Sequence, residues 1–487
     1  MSVVVVGDVL LDVDLLGTAD RLSPDAPVPV VDVADAVRRP GGAGLVALML
    51  ARDGHHVRLV TVLSDDSRVD ELRAALGPVE VVAGRSGAPT PVKTRVRAAG
   101  QSVVRVDEGC APAPAPEVTR AMLEAVQDAD VVVAADYGRG LLADDRLRDA
   151  LEHRRAGVPL VWDPHVRGAD PVPGATVVTP NLAEAAAAVP DAGRGTAAAA
   201  RAAAVLRERW AAQAVVVTLG EHGALLLHGS TPLVLPAPGT VAHDPCGAGD
   251  RLAATLAAEL LAGTELPGAV DASVRSASGF LAAGGVAAMI GPDALDRPSA
   301  AGGAPGSGSG ASEPGGGASG PGGDGTSPPA PSWAGPTAEA LELIRRTRAA
   351  GGTVVATGGC FDLLHAGHAR TLAAARALGD CLVVCLNSDD SVRRLKGPER
   401  PIISQEDRVD LLTALGCVDA VVVFDEDSPH EVLGRLRPDV WVKGGDYAVD
   451  TLPEATLVES WGGCTVTVPF HPGRSTTRLA GALARVG

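Results

Sequence analysis

Two short stretches of this sequence pair residue types with a spacing suited to phosphate chemistry. The first is Asp244-Pro-Cys-Gly-Ala-Gly-Asp250, followed by RLAATLAAELLAG. Gly247 and Gly249 let the backbone turn tightly and approach a ligand closely. The helix predicted to open at Ala248 points free N–H groups and a partial positive charge at that ligand. A developing phosphoryl charge is what such a nest can hold. Asp250, at its mouth, can accept the proton of a hydroxyl that attacks a nucleoside triphosphate. A glycine-rich turn capped by an aspartate is the plainer alternative for this stretch taken alone.

The second stretch runs from Thr357 to His368, TGGCFDLLHAGH, and leads into ARTLAAARALG. It follows a β-branched run and enters a helical one. His365 and His368 lie three apart, so at a helix start they share one face. Gly367 removes the side chain between them and lets phosphates approach. Two imidazoles beside a helix N-terminus suit a triphosphate attacked at its α-phosphate, because they stabilise the charge passing to the leaving pyrophosphate. A single histidine is usually structural. Two at this spacing, glycine-flanked after a strand, point to function.

The elements that position these stretches follow from length and pattern. At 487 residues the chain is too long for one ordinary domain. Hydrophobic residues make up 46% but aromatics only 2%, so the cores must be built from Val, Leu and Ala. From about 297 to 331 the sequence is almost entirely Gly, Ala, Ser and Pro, with too little apolar side chain to offset its ordering entropy. It reads as a flexible linker, residues 297–334, between independent domains at 1–296 and 335–487. Before it, β-branched runs at 57–63, 131–134, 160–162, 176–178, 215–218 and 225–227 alternate with Ala/Leu-rich stretches. Their near-continuous hydrophobicity predicts strands covered on both faces, hence a mostly parallel sheet flanked by helices. The pattern restarts at 353–356, 382–386, 420–423, 440–442 and 465–468, a smaller α/β unit. The fold class is therefore α/β in both parts.

Charge and cysteines exclude other classes. The formal net charge of -17 argues against broad nucleic-acid binding, which needs a basic face. Phosphate ligands stay open, because backbone N–H groups bind them locally. The seven cysteines form no Cys-x-x-Cys pair, and an odd count suits reduced thiols. The apolar run at 3–6 is too short for a signal peptide, and no stretch approaches the ~20 apolar residues of a membrane span. A cytoplasmic protein without nucleic-acid or membrane partners or a bound organic cofactor is expected.

Along most of residues 1–292 the sequence resembles the ribokinase, or PfkB-type, carbohydrate kinases. VVVVGDVLLD resembles their first strand, with Asp8 and Asp12 at the sugar end. Pro40-Gly41-Gly42-Ala43-Gly44 resembles their sugar-site glycine motif. Thr179-Pro180-Asn181-Leu182-Ala183-Glu184 resembles their Asn-x-x-Glu element, which implies that Asn181 and Glu184 help place phosphates and, for Glu184 indirectly, Mg²⁺. Val217-Thr218-Leu219-Gly220 and then Gly223 resemble the nucleotide-side strand and turn, implying roles for Thr218 and Gly220. With DPCGAGD the motifs stand in the family's order, and the resemblance assigns Gly247, Ala248 and Gly249 to the nucleotide and Asp250 to catalysis. Closer still is the kinase half of the HldE-type bifunctional heptose-phosphate kinase/adenylyltransferases, through LSPDAPVPV, Lys93-Thr94-Arg95, Asp136-Tyr137-Gly138-Arg139-Gly140 and Trp162-Asp163-Pro164. Lys93 and Arg95 alternate on one face of an extended segment. They can bind the phosphate already on a sugar phosphate, or form a solvated basic edge.

Residues 350–480 resemble the HxGH, cytidylyltransferase-like nucleotidyltransferases. The resemblance implies catalysis by His365, His368 and Lys396, with Lys396 bridging the phosphates of two substrates. A solvated loop charge is the alternative for Lys396 and Arg400. It implies nucleotide contacts from Gly359, Phe361, Asp362, Gly367, Asn387, Asp389, Lys443, Gly444, Ser475, Thr476 and Thr477. Hydroxyls of the last three can hold β- and γ-phosphates while also capping a helix. LNSD, RRLKGPERPI, VKGGDY and STT in this order resemble the adenylyltransferase half of the HldE-type proteins.

The resemblance implies two reactions: phosphorylation of D-glycero-D-manno-heptose 7-phosphate at C1 by Mg·ATP, and condensation of heptose 1-phosphate with ATP to ADP-heptose and pyrophosphate. Another sugar phosphate or CTP would keep both chemistries. A kinase half reduced to a binding or oligomerisation module is the third reading. Three departures bear on these. Leu45 stands where the family usually has Asn, Cys246 where Thr is usual, and His165 where a Lys commonly follows Asp-Pro. Ribokinase-like domains often dimerise, which makes a homodimer an expectation of the same kind.

Overall fold

The computed structural model describes residues 1–98, 101–111, 116–193, 195–239, 244–289, 336–445 and 453–469. The linker at 297–334 and the Ser475, Thr476 and Thr477 motif lie outside the described residues.

The strands of the first unit are β1 (Ser2–Gly7), β2 (Val9–Leu22), β3 (Pro29–Gly42), β4 (His56–Leu63), β5 (Glu80–Arg85), β6 (Val92–Ala98), β7 (Gln101–Glu108), β8 (Val131–Ala135), β9 (Leu160–Asp163), β10 (Val177–Val178), β11 (Val215–Thr218), β12 (Ala224–Leu227) and β13 (Leu233–Leu235). Those of the second are β14 (Val354–Gly359), β15 (Cys381–Asn387), β16 (Ala420–Phe424), β17 (Val440–Gly445) and β18 (Cys464–Pro469). The uninterrupted valine runs behave as expected. Val3 to Val6 and Val131 to Val133 are fully buried, because helices cover both faces of the sheet. The cores are Val, Leu and Ala with a few large residues such as Trp162, Met122 and Trp441.

The main sheet of the first unit runs β13-β12-β11-β10-β9-β8-β1-β4-β5. Its pairs from β11 through β5 are parallel, and β12 and β13 are added antiparallel. The second unit runs β16-β15-β14-β17-β18, all parallel, so the order reverses beside β14. Ligands in open α/β sheets bind at the carboxyl ends of strands near such a reversal.

Two features were not expected from sequence. β2, β3, β6 and β7 form a separate four-stranded sheet in the order β3-β2-β6-β7. Asp12, expected at the end of the first strand, sits on β2 in this second sheet, beyond a break at Asp8. The strands of the two units also join. β13 pairs with β18 in parallel, with Leu233 opposite Thr467, and the Thr467 N–H donates to the Pro232 carbonyl at 2.9 Å. The Thr196 hydroxyl donates to the Leu378 carbonyl at 3.2 Å, and Arg201 to the Gly462 carbonyl at 2.6 Å. The junction covers an edge that β13 would otherwise leave open. Two antiparallel steps restore the strand direction at β13, so β11 and β14 end on the same edge of one 14-stranded sheet. They lie five strand spacings apart, about 24 Å.

Candidate active sites

In the first unit the strand ends converge. Asp8 follows β1, Asp136 and Tyr137 follow β8, Asp163 ends β9, Thr179 follows β10 and Thr218 ends β11. Asp250 faces this row from the first turn of the helix Ala248–Leu261, which starts at Gly247 with φ 82. That φ suits glycine, and a Cβ there would lie 2.7 Å from the Val286 side chain. The Tyr137 hydroxyl donates to Asp250 Oδ1 at 2.6 Å. Burial raises the Asp250 pKa to about 6, against the lowering effect of the Tyr137 hydrogen bond. Asp163 is pushed well above the usual carboxylate range by burial and by Asp250. The site therefore holds a base poised near neutrality.

The expected sugar side is a buried ion network. Arg95 donates to Asp12 Oδ1 at 2.6 Å and Arg39 to Asp12 Oδ2. The Arg39 Nε also reaches Asp14 at 3.4 Å. Arg95 extends toward the Cys246 sulfur, 4.0 Å away, so it links the small sheet to the glycine turn. Asp12 and Arg95 thus face each other, whereas the sequence reading gave both to the substrate. Lys93 is half-buried on β6, in register with Asp12. Gly41 and Gly42 are required by close approach. A Cβ on Gly41 would lie 2.7 Å from Asp12 Oδ2, and one on Gly42 (φ 63) would lie 2.5 Å from the Asp8 carbonyl. Asp8 is buried, accepts the Arg139 N–H at 3.0 Å and has its pKa raised to about 6, chiefly by burial. Leu45 is only 3% exposed and packs into the core.

On the other side of Asp250 a cleft of about 580 Å³ opens. It brings together Thr218, Gly220, Ala248 and Gly249 of the expected nucleotide residues. Ala237, Pro238, Leu252, Val274, Ala277 and Leu281 make apolar walls. Asn181 pairs with Thr218 as an isolated bridge, so it borders this side. Asn181 and Glu184 cap the helix Leu182–Ala188 reciprocally, at 2.9 and 2.8 Å. Burial raises the Glu184 pKa. Among the described residues no three His, Cys, Asp or Glu side chains cluster to hold a metal. Asn181, Glu184 and Gly247 are not in the cleft wall.

In the second unit His365 is the N-cap of the helix Ala366–Arg376, and its Nδ1 accepts the Gly367 N–H at 3.0 Å. The His365 and His368 rings stack with centroids 4.0 Å apart. Phe361 meets His368 edge-on at 5.3 Å, held in a left-handed backbone (φ 45). A Cβ at Gly367 would lie 2.7 Å from the His365 ring. Burial lowers the His368 pKa to about 4, helped by His365 and Lys396. Its Nδ1 is buried and finds no hydrogen-bond partner among the described residues. Gly359 ends β14 beside this group, and Gly444 lies near the end of β17, the neighbouring strand at the order reversal.

Several expected nucleotide residues here have their side chains committed internally. Asp362 accepts Arg400 and the N–H groups of Ile402 and Ile403. Burial works to raise its pKa, but these donors outweigh it and hold it below the ordinary range. Arg408, fully buried, donates to the carbonyls of Cys360 and Asn387 and to Asp389 at 2.7 to 2.9 Å. The Asn387 amide donates to Ser391 at 3.0 Å. Lys443 pairs with buried Glu454 at 2.9 Å. Lys396 is exposed at the end of the helix Asp389–Lys396.

Sequence reasoning quoted Tyr137 but missed its contact with Asp250, 113 positions away. It passed over Arg39, although an arginine beside Pro40-Gly41-Gly42 was a usable signal. The cleft wall from Val274 to Leu281 reads as ordinary helix core and carried no signal.

The family model for pfkB family carbohydrate kinases matches residues 1–290, and the cytidylyltransferase-like model matches residues 356–472. The chain is 49% identical to the bifunctional protein HldE of Streptomyces coelicolor over 480 residues, covering 98% of this chain and 95% of that protein. It is 41% identical to the bifunctional protein HldE of Methylococcus capsulatus, covering 99% and 97%. Among solved structures it is similar to the Arabidopsis thaliana ribokinase complexed with ribose and ATP, at 20% identity and a TM-score of 0.48, covering 60% of this chain and 96% of that one.

Proposed function

The chain belongs to the HldE family of bifunctional proteins, a PfkB-type carbohydrate kinase followed by a cytidylyltransferase-like nucleotidyltransferase, and from that premise we propose the two reactions it performs in ADP-heptose biosynthesis. The first unit transfers a phosphoryl group from Mg·ATP to C1 of D-glycero-D-manno-heptose 7-phosphate. The second joins heptose 1-phosphate to ATP, releasing pyrophosphate and ADP-heptose. A separate phosphatase acts between them.

The observation that carries the kinase reading is Asp250, poised near neutrality between the cleft and the ion network. ATP enters the cleft with its adenine against the apolar walls and its phosphates toward Thr218, Gly220 and the Gly247-Ala248-Gly249 turn. Asn181 borders that path through its bridge to Thr218, and Glu184, its capping partner, would hold Mg²⁺ through water. Asp250 takes the proton of the sugar hydroxyl as it attacks the γ-phosphate. Asp8, Gly41 and Gly42 shape the sugar side, and Lys93 and Arg95 meet the 7-phosphate, Arg95 by exchanging part of its pairing with Asp12.

In the second unit His365 and His368 bind the triphosphate at the helix start, with His368 neutral at pH 7. Lys396 adds charge from the end of the helix Asp389–Lys396, and Gly359, Phe361, Gly367, Lys443 and Gly444 line the approach. Asp362 acts by holding the Ile402–Ile403 backbone, Asn387 by holding Ser391 and Asp389 by holding the Arg408 guanidinium. The Ser475, Thr476 and Thr477 hydroxyls take the β- and γ-phosphates. No helix of the described residues is long and apolar enough to cross a membrane, in keeping with a cytoplasmic enzyme. Exposed Val104 and Val106, on one face of β7, offer a surface for a homodimer.

Mass spectrometry of products from heptose 7-phosphate and ATP tests this. A heptose bisphosphate is expected without phosphatase and ADP-heptose with it. Absence of any bisphosphate would remove the kinase assignment, and a strict need for CTP would remove the adenylyl one.

A further inference from the structure

The geometry points to Tyr137 as a positioning residue for phosphoryl transfer: its hydroxyl fixes Asp250 through Oδ1, leaving Oδ2 to take the proton of the sugar hydroxyl. This rests on the kinase reading above and adds to it a residue on a different element from the base.

The position of that hydroxyl is dictated from several sides. Tyr137 lies in the turn after β8, and carboxylates anchor the turn around it. Asp136 accepts the N–H groups of Gly138 at 2.7 Å and Ala169 at 2.8 Å. Asp8 accepts the N–H of Arg139 at 3.0 Å. The ring itself is confined. A Cβ at Gly42 would come within 3.3 Å of Tyr137 Cδ2, so the glycine motif leaves just enough room for it. His165 stacks on the ring at 6.4 Å. A donor locked in this way costs little further ordering when it meets Asp250.

The electrostatics make the contact matter. Asp250 is faced by Asp12 from β2, Arg39 from β3, Asp163 from β9 and Tyr137 itself. Burial and Asp12 oppose its ionisation, while Tyr137 and Arg39 favour it, and Asp163 beside it takes the proton that Asp250 gives up more readily. A hydroxyl donating to a carboxylate stabilises the ionised form, which is the form that serves as base. Burial, Asp250 and Asp163 hold the phenol well above its ordinary pKa, so it stays a donor throughout the working range. Phe at 137 would keep the ring packing and remove only this donor.

The test is Tyr137→Phe in the full chain, assayed with heptose 7-phosphate and ATP across pH 5.5 to 9. The expected result is a kcat/KM about threefold lower at pH 5.5, the loss shrinking to almost nothing by neutral pH. The acid limb of the kcat/KM profile should move up by roughly half a pH unit or more, with activity recovering toward the unmodified level at alkaline pH. KM for ATP should stay within about twofold, since the nucleotide cleft is untouched. Nucleotidyl transfer from heptose 1-phosphate, measured on the same preparation, reports the intact fold. An unmoved limb, or a loss equal at every pH, would overturn the assignment. Should the unmodified chain and Asp250→Asn be equally without kinase turnover, the kinase reading itself fails and this inference with it; active unmodified chain, inactive Asp250→Asn and an unchanged Tyr137→Phe would sink the Tyr137 role alone.

Discussion

The two sites meet the same force with opposite groups. Burial removes water from Asp250 and from His368, and in each case favours the neutral form. For the carboxylate that means a pKa raised to about 6, and for the imidazole one lowered to about 4. The first site gains a base able to accept a proton near neutral pH. The second gains an uncharged ring that can donate to phosphate without carrying its own charge. The partners differ accordingly. Asp250 is steadied by a phenol and flanked by an arginine-rich ion network, whereas His368 is stacked on His365 and met edge-on by Phe361. Proton removal and charge stabilisation ask for these different surroundings.

The sharpest way to break the contrast is to remove each centre in turn. Asp250→Asn keeps the shape and loses the base, so kinase turnover should fall by about 10² to 10⁴-fold, while a pyrophosphate-release assay with heptose 1-phosphate stays at its starting rate. His368→Ala should lower nucleotidyl transfer by about 10² to 10³-fold and leave ATP consumption with heptose 7-phosphate intact. Parallel loss of both activities in either variant would mean that the sites are not separable.

Arg408 sharpens the comparison from the structural side. Arg408→Met leaves Asp389 and the carbonyls of Cys360, Asn387 and Ile403 without their buried donor and should cost about 3 to 5 kcal/mol in the second unit. Thermal unfolding should then show an early transition with loss of nucleotidyl transfer. The strand pairing between β13 and β18 makes the kinase unit the control: a single transition shifted as a whole would show that the shared sheet couples them. A smaller effect is expected at Asp362. Asp362→Ala strands Arg400 and the Ile402 N–H and should cost about 1 to 3 kcal/mol. Nucleotidyl transfer should weaken mainly through KM, because the loop from Lys396 to Arg400 loses its anchor. An unchanged KM would contradict the anchoring role.

How much of this was legible differs between the two layers of each unit. The buried parallel strands announce themselves as uninterrupted Val and Leu runs, and the glycine and histidine motifs fall at strand ends as expected. Beyond the extended reading of Lys93 to Arg95, the sheet of β2, β3, β6 and β7 was not legible, since half-exposed strands with Arg, Asp and Thr lack a continuous apolar run. Arg39 stands directly opposite Asp12 on the paired strands β2 and β3, whereas Tyr137 reaches Asp250 only because the fold brings the end of β8 to the helix Ala248–Leu261, which no local pattern encodes. The β13 to β18 junction is equally silent, resting on main-chain bonds that any apolar strand could make. Asp362 follows β14 and Asn387 ends β15, but sequence could not tell a carboxylate facing a ligand from one satisfied by Ile402 and Ile403.

Both candidate sites open on one edge of a common sheet and share no residue among those described, so a freely diffusing intermediate should pass between separate molecules. The direct test mixes Asp250→Asn chains with His368→Ala chains, adds heptose 7-phosphate, ATP and a sugar bisphosphate phosphatase, and measures ADP-heptose by mass spectrometry. The mixture should make ADP-heptose although neither variant does so alone. A mixture as silent as its components would contradict two self-sufficient sites.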